Sequence, residues 1–438
     1  MLHNECSTST NMKHSLPAIA MLLLGSLPAP AQIMLGSHQA KYAADGTLLP
    51  WTRWADALDR EMKWYERCPI EHGYPRFVFM TFMDGQYELI KSRPDVIPAM
   101  QNGMGIISYL KYYQYTGRKN AKALEIARSM GDYLIKESLT PDNGKYPRFT
   151  RSTGWSKDFP QRPDSGSQDD QPYEIQPDKG GIAGYALVLL YQETKDKRYL
   201  DQALHNGKVL VANMRPGDAT HSPWPFRADY RTGEPRGDIS GEMTFILRLF
   251  DSLAAQGHPE FKTPAAALWA WIKNVQLPNI AKGGSLWVEF FEDHHSQQNR
   301  TAWAPLSLAR YLSERKETLD ADWQTDAKML IEFVGATFTS VRFGVPICGE
   351  QDEDHDPWGG INSTYGAVLA MYSAATGSPQ YKKVAQQALT FALYGIDEDG
   401  CPRDSLIENK RGGWQEDAHT DKIHNFMDAL RAFPEWGR

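Results

Sequence analysis

The hydrophobic positions of this chain fall into pairs of helical segments of two kinds. Residues 181–192 are apolar on nearly every side, which is the pattern of a buried helix. Residues 200–214 carry their apolar side chains on one stripe and Lys, Asp, His and Asn on the other, as an outer helix does. A turn at 194–196 separates them. This stretch therefore predicts an inner helix, a tight turn and an outer helix.

The same unit recurs along the chain with a period of roughly 60 residues. Further inner segments are predicted at 103–116, 239–253, 301–312, 362–375 and 416–430. All but the last of these are followed by an outer segment, at 121–134, 265–272, 323–338 and 381–394. Helix pairs repeated at this period predict either a solenoid or a closed ring of helical hairpins.

The two ends of the chain favour the ring. The N-terminal segment 51–66 is an unmatched outer helix, because Trp54, Leu58, Met62 and Tyr65 form an apolar stripe on it, and 416–430 is an unmatched inner helix. A solenoid needs a polar cap at each end, whereas these two ends can pair. We therefore predict an all-α fold, an (α/α)6 toroid of six helical hairpins.

The insertions nearly all fall between an outer helix and the next inner helix. They include predicted hairpins at 76–89 and 223–236, predicted strands at 145–151, 285–291 and 341–347, and the long connection 138–176. Short β-hairpins and long loops thus gather at one mouth of the ring, which we call the loop-side mouth. The other, the turn-side mouth, carries only tight turns. Functional loops collect where insertions collect.

The N-terminal region predicts export. Residues 12–31 combine a basic start, an apolar stretch at 16–27 and a small-residue cleavage site before Gln32. Residues 1–31 are therefore predicted to be a signal peptide, and Met12 is a candidate for the true start of the protein. The apolar stretch is too short and too interrupted for a membrane anchor. We expect a periplasmic or secreted protein with a linker at 32–50 and a single toroidal catalytic domain at 51–438.

Composition narrows the choice of partner. The chain has 438 residues, is 41% hydrophobic and 11% aromatic, and carries a formal charge of -7, which gives no reason to expect a nucleic-acid partner. Its many aromatic residues either fill the core or form platforms for sugar rings. No cofactor or metal ion is predicted. The acidic run 350–356 is either a solvated loop or a calcium site, although it lacks the spacing of an EF-hand.

Acidic and histidine residues cluster at the loop-side mouth. Asp178 and Asp238 lie at the start of predicted inner helices. A carboxylate at such a position is either a catalytic group or simply the N-cap of the helix. Glu242 is different, because its neighbours are apolar, so it must face the cavity or be paired. Asp417 and His419, at the sixth inner segment, form a second candidate pair. The predicted substrate-binding residues, from the loops of this mouth, are Trp224, His295, Arg300, Trp358 and Trp414.

This combination resembles the (α/α)6-toroid carbohydrate-active enzymes, namely the six-hairpin glycosidases and the toroidal polysaccharide lyases. The resemblance is one of architecture and covers roughly residues 51–438. It implies a carbohydrate substrate. Unsaturated glucuronyl hydrolases of this fold use aspartates at the inner-helix mouth, and Asp178 and Asp238 occupy comparable places. The related N-acylglucosamine epimerases use paired histidines, which His419 and His424 could imitate.

Glycoside hydrolysis is the reaction that we predict from the carboxylates. Cleaving an acetal requires an acid for the leaving oxygen and, as a rule, a second carboxylate to activate water. Burial should raise the pKa of Glu242 and make it the acid, with Asp178 or Asp238 as the base. Adjacent inner helices lie about 8–10 Å apart, which suits the roughly 6.5–9.5 Å carboxyl separation of an inverting enzyme.

Three alternatives remain open at this point. A polysaccharide lyase would use cations or amides to neutralise a uronate and a Tyr, His or Lys to remove the C5 proton. A non-catalytic glycan-binding toroid would use the aromatic residues alone. A terpenoid cyclase, suggested by Asp169 and Asp170 near Glu174, agrees poorly with export and with the loop position of these residues.

Overall fold

The structure is a computed structural model that describes most of the chain. Backbone and side chains are described for residues 33–67, 97–152, 173–289, 298–406 and 422–438. For residues 70–71, 74–75, 81–84, 89–92 and 412–414 it describes the strand backbone. The predicted signal peptide lies outside these residues.

Twelve main helices are described, and they alternate between outer and inner positions. The outer helices are α1 (Trp54–Arg67), α3 (Ala121–Lys136), α5 (Lys197–Ala212), α7 (Lys262–Trp271), α9 (Trp323–Phe338) and α11 (Pro379–Leu393). The inner helices are α2 (Pro98–Tyr115), α4 (Pro177–Thr194), α6 (Thr244–Ala255), α8 (Trp303–Arg315), α10 (Gly359–Thr376) and α12 (Ile423–Ala432). Helix α7 continues through a π-helical turn at Ile272–Gln276.

The inner helices form a closed ring, as predicted. Each inner helix packs against the next one along the chain, and the last, α12, packs against the first, α2. The outer helix α1 supplies the partner for α12, because the Trp54 ring meets Phe426 edge to face at 5.3 Å and lies 5.3 Å from Trp436. The fold is the all-α toroid expected from the repeat.

One inner helix begins well after the position that the hydrophobic pattern predicts. Helix α6 begins at Thr244 rather than at 239, because the chain leaves strand Pro235–Arg236 through Gly237 in a left-handed conformation and passes close to residue 288. Helix α12 is described from Ile423, and residues 416–421 of the predicted segment lie outside the described part of the chain, so its predicted start stays a prediction.

Short strands decorate the loop-side mouth. Predicted hairpins are confirmed where Thr81–Asp84 pairs with Leu89–Ser92, and where Arg227–Asp229 pairs with Pro235–Arg236. The segment 341–347 is also part of a hairpin, formed by Thr339–Arg342 and Val345–Cys348. The strands predicted at 145–151 and 285–291 are wrong for their described residues, which form only the isolated bridges Leu139–Thr150 and Val288–Arg300.

Residues 33–50, predicted as a linker, form two short antiparallel pairs that pack on the toroid. Leu35 and Leu48 are buried. The His38 ring stacks on Trp51 at 3.9 Å, and its Nε2 lies 2.7 Å from the carbonyl oxygen of Ile396. These contacts attach the segment to the loop that follows α11.

Within the described residues, no helix combines the length and the apolar character that crossing a bilayer requires.

Ring closure predicts a measurable role for Trp54. This side chain is 3% exposed and packs on Phe426 and Trp436 at the seam between the two ends of the chain. Trp54→Ala should lower the free energy of unfolding by about 3–5 kcal/mol, as truncation of a buried aromatic residue does. Urea denaturation followed by circular dichroism measures this loss.

Trp64→Ala is the matched control, since Trp64 lies on the same helix but is only half-buried. Trp64→Ala should lower the free energy of unfolding clearly less than Trp54→Ala does. Equal and small losses for the two variants would contradict the closure of the ring through α1.

Candidate functional site

The six inner helices surround a central cavity of about 420 Å³. Side chains from all six of them line it. The apolar part of the lining consists of Met100, Met104, Ile107, Ile182, Phe245, Trp303, Met371, Ala374, Ala375 and Ala432. The ionisable part consists of Lys111, Tyr185, Glu242, Arg248, Arg310, Glu314, Lys316, His424, Asp428 and Arg431. A concave, mostly apolar pocket with a few convergent polar groups is the usual form of a small-molecule site.

Glu242 forms part of the cavity wall just before α6. It is held there by the adjacent residue Gly241, whose N–H donates to the Val288 carbonyl at 2.8 Å and whose carbonyl accepts from Gln276 at 2.7 Å. A Cβ on Gly241 would lie 2.8 Å from the Val288 oxygen, so this close approach requires glycine. The Glu242 carboxyl is thereby placed on the axis side of the first turn of α6.

The carboxyl group of Glu242 is poorly solvated and keeps its proton unusually well. Its Oε1 accepts the N–H of Phe245 at 3.2 Å, and its Oε2 has no hydrogen-bond partner among the described residues. The side chain is fully buried. Burial raises the pKa of Glu242 to about 8, with a smaller opposing effect from Lys179 and a reinforcing one from Asp178.

Asp178 and Lys179 form a buried ion pair at the start of α4. The Asp178 Oδ1 accepts the Lys179 backbone N–H at 2.9 Å, and its Oδ2 lies 3.3 Å from the Lys179 ammonium nitrogen. Both side chains are inaccessible to solvent. Burial raises the pKa of Asp178, and Lys179 opposes this shift. Asp178 is thus close enough to influence Glu242, but it lies behind the cavity wall.

Helices α4 and α6 can bring these groups together because Gly181 lies at their contact. A Cβ at this position would lie 2.9 Å from the Ile246 backbone nitrogen. The sequence pattern placed both helices, but the close approach of Asp178, Lys179 and Glu242 depends on this small residue.

A second cluster of charged side chains in the cavity comes from three other helices, α2, α8 and α12. Asp428 on α12 binds the Lys111 ammonium at 2.6 Å and the Arg310 guanidinium at 2.8 Å. The same guanidinium lies 2.9 Å from Nδ1 of His424. On the neighbouring wall, Arg248 forms an ion pair with Glu314. Buried charges are stable only when they are paired in this way.

The cations of this group control the ionisation of their neighbours. Burial, reinforced by Arg310 and Lys111, lowers the pKa of His424 well below its usual range, so its imidazole is neutral. Burial by itself raises the pKa of Asp428, but Lys111 and Arg310 outweigh this effect and keep the pKa of this carboxyl below its usual range. The cavity therefore holds one protonated carboxyl, one firmly ionised carboxylate and one neutral imidazole near pH 7.

Asp238, the other predicted base, does not line this cavity. Its side chain is 54% exposed, and its Oδ1 lies 4.0 Å from Nε2 of His221. It lies in the loop before α6 because that helix begins at Thr244, six residues further on. The expectation that Asp178, Asp238 and Glu242 line one cavity is therefore corrected, since Glu242 alone of the three forms its wall.

The predicted substrate-binding residues whose side chains are described do not line the cavity. Trp224 is fully buried, and its indole N–H donates to the Leu210 carbonyl at 3.0 Å, so it is a core residue rather than a sugar platform. Arg300 is held by Asp352 in a bidentate ion pair. The Trp358 indole N–H donates to Asp354 at 3.0 Å. Neither Arg300 nor Trp358 belongs to the cavity lining.

Four other predicted residues cannot be compared with the cavity. Asp417, His419 and His295 lie outside the described residues. Trp414 lies in the strand Gly412–Trp414, which pairs with Thr81–Asp84, and only its backbone is described.

In the acidic run 350–356, two carboxylates are already engaged, Asp352 with Arg300 and Asp354 with Trp358. Among the described residues there is no cluster of His, Cys, Asp and Glu arranged to hold a metal ion.

Sequence reasoning missed four charged residues that now define the cavity, namely Lys111, Arg248, Arg310 and Asp428. Each lies on an inner helix among apolar neighbours, which is the same signal that singled out Glu242. A charge inside a helix without a polar face has to point into the ring.

The raised pKa of Glu242 predicts a pH-dependent stability. The unfolded chain releases this proton near pH 4.5, whereas the native state keeps it up to about pH 8. The native state therefore binds more protons between these values, and its stability falls as pH rises through this window. Glu242→Gln should remove this fall. Between pH 5 and pH 8 its free energy of unfolding should therefore rise, relative to that of the parent, by on the order of 3 kcal/mol.

Urea denaturation at a series of pH values measures this difference. Glu260→Gln is the control, because this glutamate is exposed on the surface. A constant offset between Glu242→Gln and the parent across the whole range would contradict the buried, protonated state of Glu242.

No protein-family model matches the sequence. A comparison with curated proteins also gave no match.

The structure, however, is similar to several solved ones. A D-mannose isomerase superposes with a TM-score of 0.64 at 14% identity, over 89% of this chain and 100% of the other. The cellobiose 2-epimerase from Spirochaeta thermophila DSM 6192 gives a TM-score of 0.61 at 13% identity, over 87% and 96%. A family 76 glycoside hydrolase (mannosidase) from Bacteroides thetaiotaomicron VPI-5482 gives a TM-score of 0.58 at 12% identity, over 86% of this chain and 98% of the other.

All three are carbohydrate-active enzymes with an (α/α)6 toroid. At 12–14% identity the similarity shows the fold, and that fold is the (α/α)6 toroid that the helix repeat predicts.

Proposed function

We propose that this protein is a carbohydrate-processing enzyme and that it hydrolyses a glycosidic bond in the central cavity, with Glu242 as the general acid. The observation that carries the proposal is the buried Glu242 carboxyl, which lies in the cavity wall and has a pKa of about 8. A glycosidase acid has to be protonated at working pH, and burial in an apolar wall is how enzymes achieve this. The carbohydrate-active toroids of similar fold support the substrate class.

Asp178 supports this assignment from behind the cavity wall. Its side chain is inaccessible to solvent, so it does not reach a water molecule in the cavity. The Lys179 ammonium, 3.3 Å from its Oδ2, opposes the effect of burial and favours its charged form. That negative charge helps Glu242 to keep its proton. In the reaction, Glu242 protonates the leaving oxygen as the C–O bond breaks, water adds to the anomeric carbon, and the proton of that water passes to Asp428 or Glu314, the other carboxyl groups of the cavity lining.

A second reaction is favoured by a different observation. His424 is a neutral imidazole in the cavity, directly beside Arg310 and near Lys111. Cations that neutralise a uronate carboxylate, next to a neutral base, are what β-elimination requires. His424 would remove the C5 proton, a C4–C5 double bond would form, and the C4–O bond would break. This is the lyase alternative.

Product analysis on neutral and uronate-bearing glycans distinguishes the two reactions. New reducing ends without an unsaturated product indicate hydrolysis, and absorbance from a C4–C5 double bond indicates elimination. For hydrolysis, Glu242→Gln should lower kcat by about 10²–10⁴-fold, the usual contribution of general acid catalysis. The activity of the parent should also fall as pH rises through about 8, because Glu242 then loses its proton.

Asp238→Asn is the matched control, since Asp238 is half-exposed and lies away from the cavity, and it should retain parent activity. Asp178→Asn should stay active, but its activity should fall at a lower pH than that of the parent, because the Asp178 charge helps Glu242 to keep its proton. If His424→Ala is inactive while Glu242→Gln turns over normally with an unsaturated product, the elimination reaction replaces the hydrolase assignment.

We also propose that the protein is exported to the periplasm or secreted. The proposal is supported by the basic start, apolar stretch and small-residue site within residues 12–31. N-terminal sequencing of the protein from its native host should begin at or near Gln32. Recovery of a chain that still begins at Met1 or Met12 from the cytoplasm would refute it.

A further inference from the structure

The cavity is polarised along the axis of the ring. Glu242 and most of the large apolar lining residues lie near the N-terminal ends of the inner helices, whereas the cations lie further along them. Lys111 is near the end of α2, Arg310 is in the second half of α8, and Arg431 is in the last turn of α12. One end of the cavity is thus apolar with a protonated acid, and the other end is cationic.

The cationic end of the cavity reaches solvent. Four residues of the lining are exposed, and all four lie in the last turn of an inner helix or directly after it: Glu314, Lys316, Ala374 and Arg431. The lining residues at the opposite end are buried or half-buried. The turn-side mouth consists entirely of described residues, namely the tight turns after α2, α4, α6, α8 and α10 and the end of the chain after α12.

Positive charge exceeds negative charge at this end. Five cations line it, Lys111, Arg248, Arg310, Lys316 and Arg431, against two carboxylates, Glu314 and Asp428. The charge difference is therefore 5 − 2 = +3. His424 adds none, because burial and the adjacent cations keep it neutral. Lys316, Arg431 and Glu314 are exposed, so the cations away from solvent are Lys111, Arg248 and Arg310, and Asp428 is the carboxylate of this end that is buried with them. An excess of positive charge in a cavity that water and ions can enter favours a bound counter-ion.

Helix dipoles explain only part of this pattern. A cation at a helix C-terminus interacts favourably with the dipole, and that accounts for Lys316 and Arg431. It does not account for Arg248 and Arg310, which lie in the middle of α6 and α8 and are 7% and 5% exposed. Inside the ring, Arg248 pairs with Glu314, whereas Arg310 has to share Asp428 with Lys111.

We propose that the cavity has a second opening at the turn-side mouth, flanked by Lys316 and Arg431, and that this opening takes anionic ligands to the buried cations of the ring. The ligand is either an acidic sugar or a free oxyanion, since guanidinium and ammonium groups bind carboxylate and phosphate oxygens alike. The proposal relies on the proposed function only in taking this cavity as the ligand site.

The dimensions fit a ligand that spans both ends of the cavity. Ser307 lies on α8 beside Glu242, and Lys316 directly follows the end of this helix, nine residues later. This separation corresponds to about 13 Å along the helix axis. An acidic sugar bound at Arg248 and Arg310 would therefore lie between the opening and Glu242. Exposed charges at the rim of such an opening act mainly by steering the ligand.

Isothermal titration at constant ionic strength tests the proposal with three probes: inorganic phosphate, D-glucuronate and D-glucose. The full chain should bind at least one of the two anions and bind glucose more weakly. The double variant Lys316→Glu/Arg431→Glu should weaken anion binding by at least about tenfold, because two attractive charges become repulsive. Lys208→Glu/Lys328→Glu makes the same charge change on outer helices and should leave anion binding unchanged.

A comparison of the binding of glucuronate and of phosphate identifies the class of ligand. Binding of glucuronate alone assigns an acidic sugar, and binding of phosphate alone or of both anions assigns a general oxyanion site. Absence of anion binding, or equal weakening by the two double variants, overturns the proposal. The same titration with Glu242→Gln involves no turnover, so its result is independent of whether the hydrolase assignment is correct.

A steric variant tests the opening itself. Ala374→Phe should narrow the turn-side mouth and slow anion association, measured by stopped-flow fluorescence. Ala212→Phe places the same side chain on the exposed end of outer helix α5 and should have no effect. An unchanged association rate in Ala374→Phe would show that ligands enter elsewhere.

Discussion

The inner helices have no polar face, and the architecture follows from that constraint. Helices α2, α4 and α10 are buried on nearly every side, so they are stable only where neighbours cover them completely. Six such helices cover one another only if the row closes on itself and a second layer surrounds it. The N-terminal helix α1 completes that layer by covering α12. Closure is therefore a requirement of the apolar inner helices rather than an additional feature.

A closed ring turns every inward charge into a buried charge. Such a group has to lose its charge or find a partner, and this protein uses both solutions. Glu242 keeps its proton and His424 gives its proton up, while Lys111 and Arg310 share Asp428. The chemistry that the cavity offers is therefore a consequence of how the ring excludes water.

The repeat of apolar segments predicted the ring, its order and most helix bounds, because that signal is local and repeated. Glu242 could be predicted for a related reason, as a charge in an apolar helical context. The same criterion applied to α2, α6, α8 and α12 would have found Lys111, Arg248, Arg310 and Asp428. Asp238 and Trp224 were misplaced because loop conformation depends on distant contacts, such as the approach of Gly241 to Val288, which no local pattern contains.

The seam between α1 and α12 has a consequence for the order of folding. Helix α1 lies on one side of this seam and α12 on the other, and the five hairpins between them in sequence form from contacts that are closer along the chain. Contacts as far apart in sequence as those of the seam form slowly, and an uncovered apolar surface invites aggregation in the meantime. A refolding chain should therefore pass through an open arc of hairpins, and its tendency to aggregate should persist until α1 covers α12.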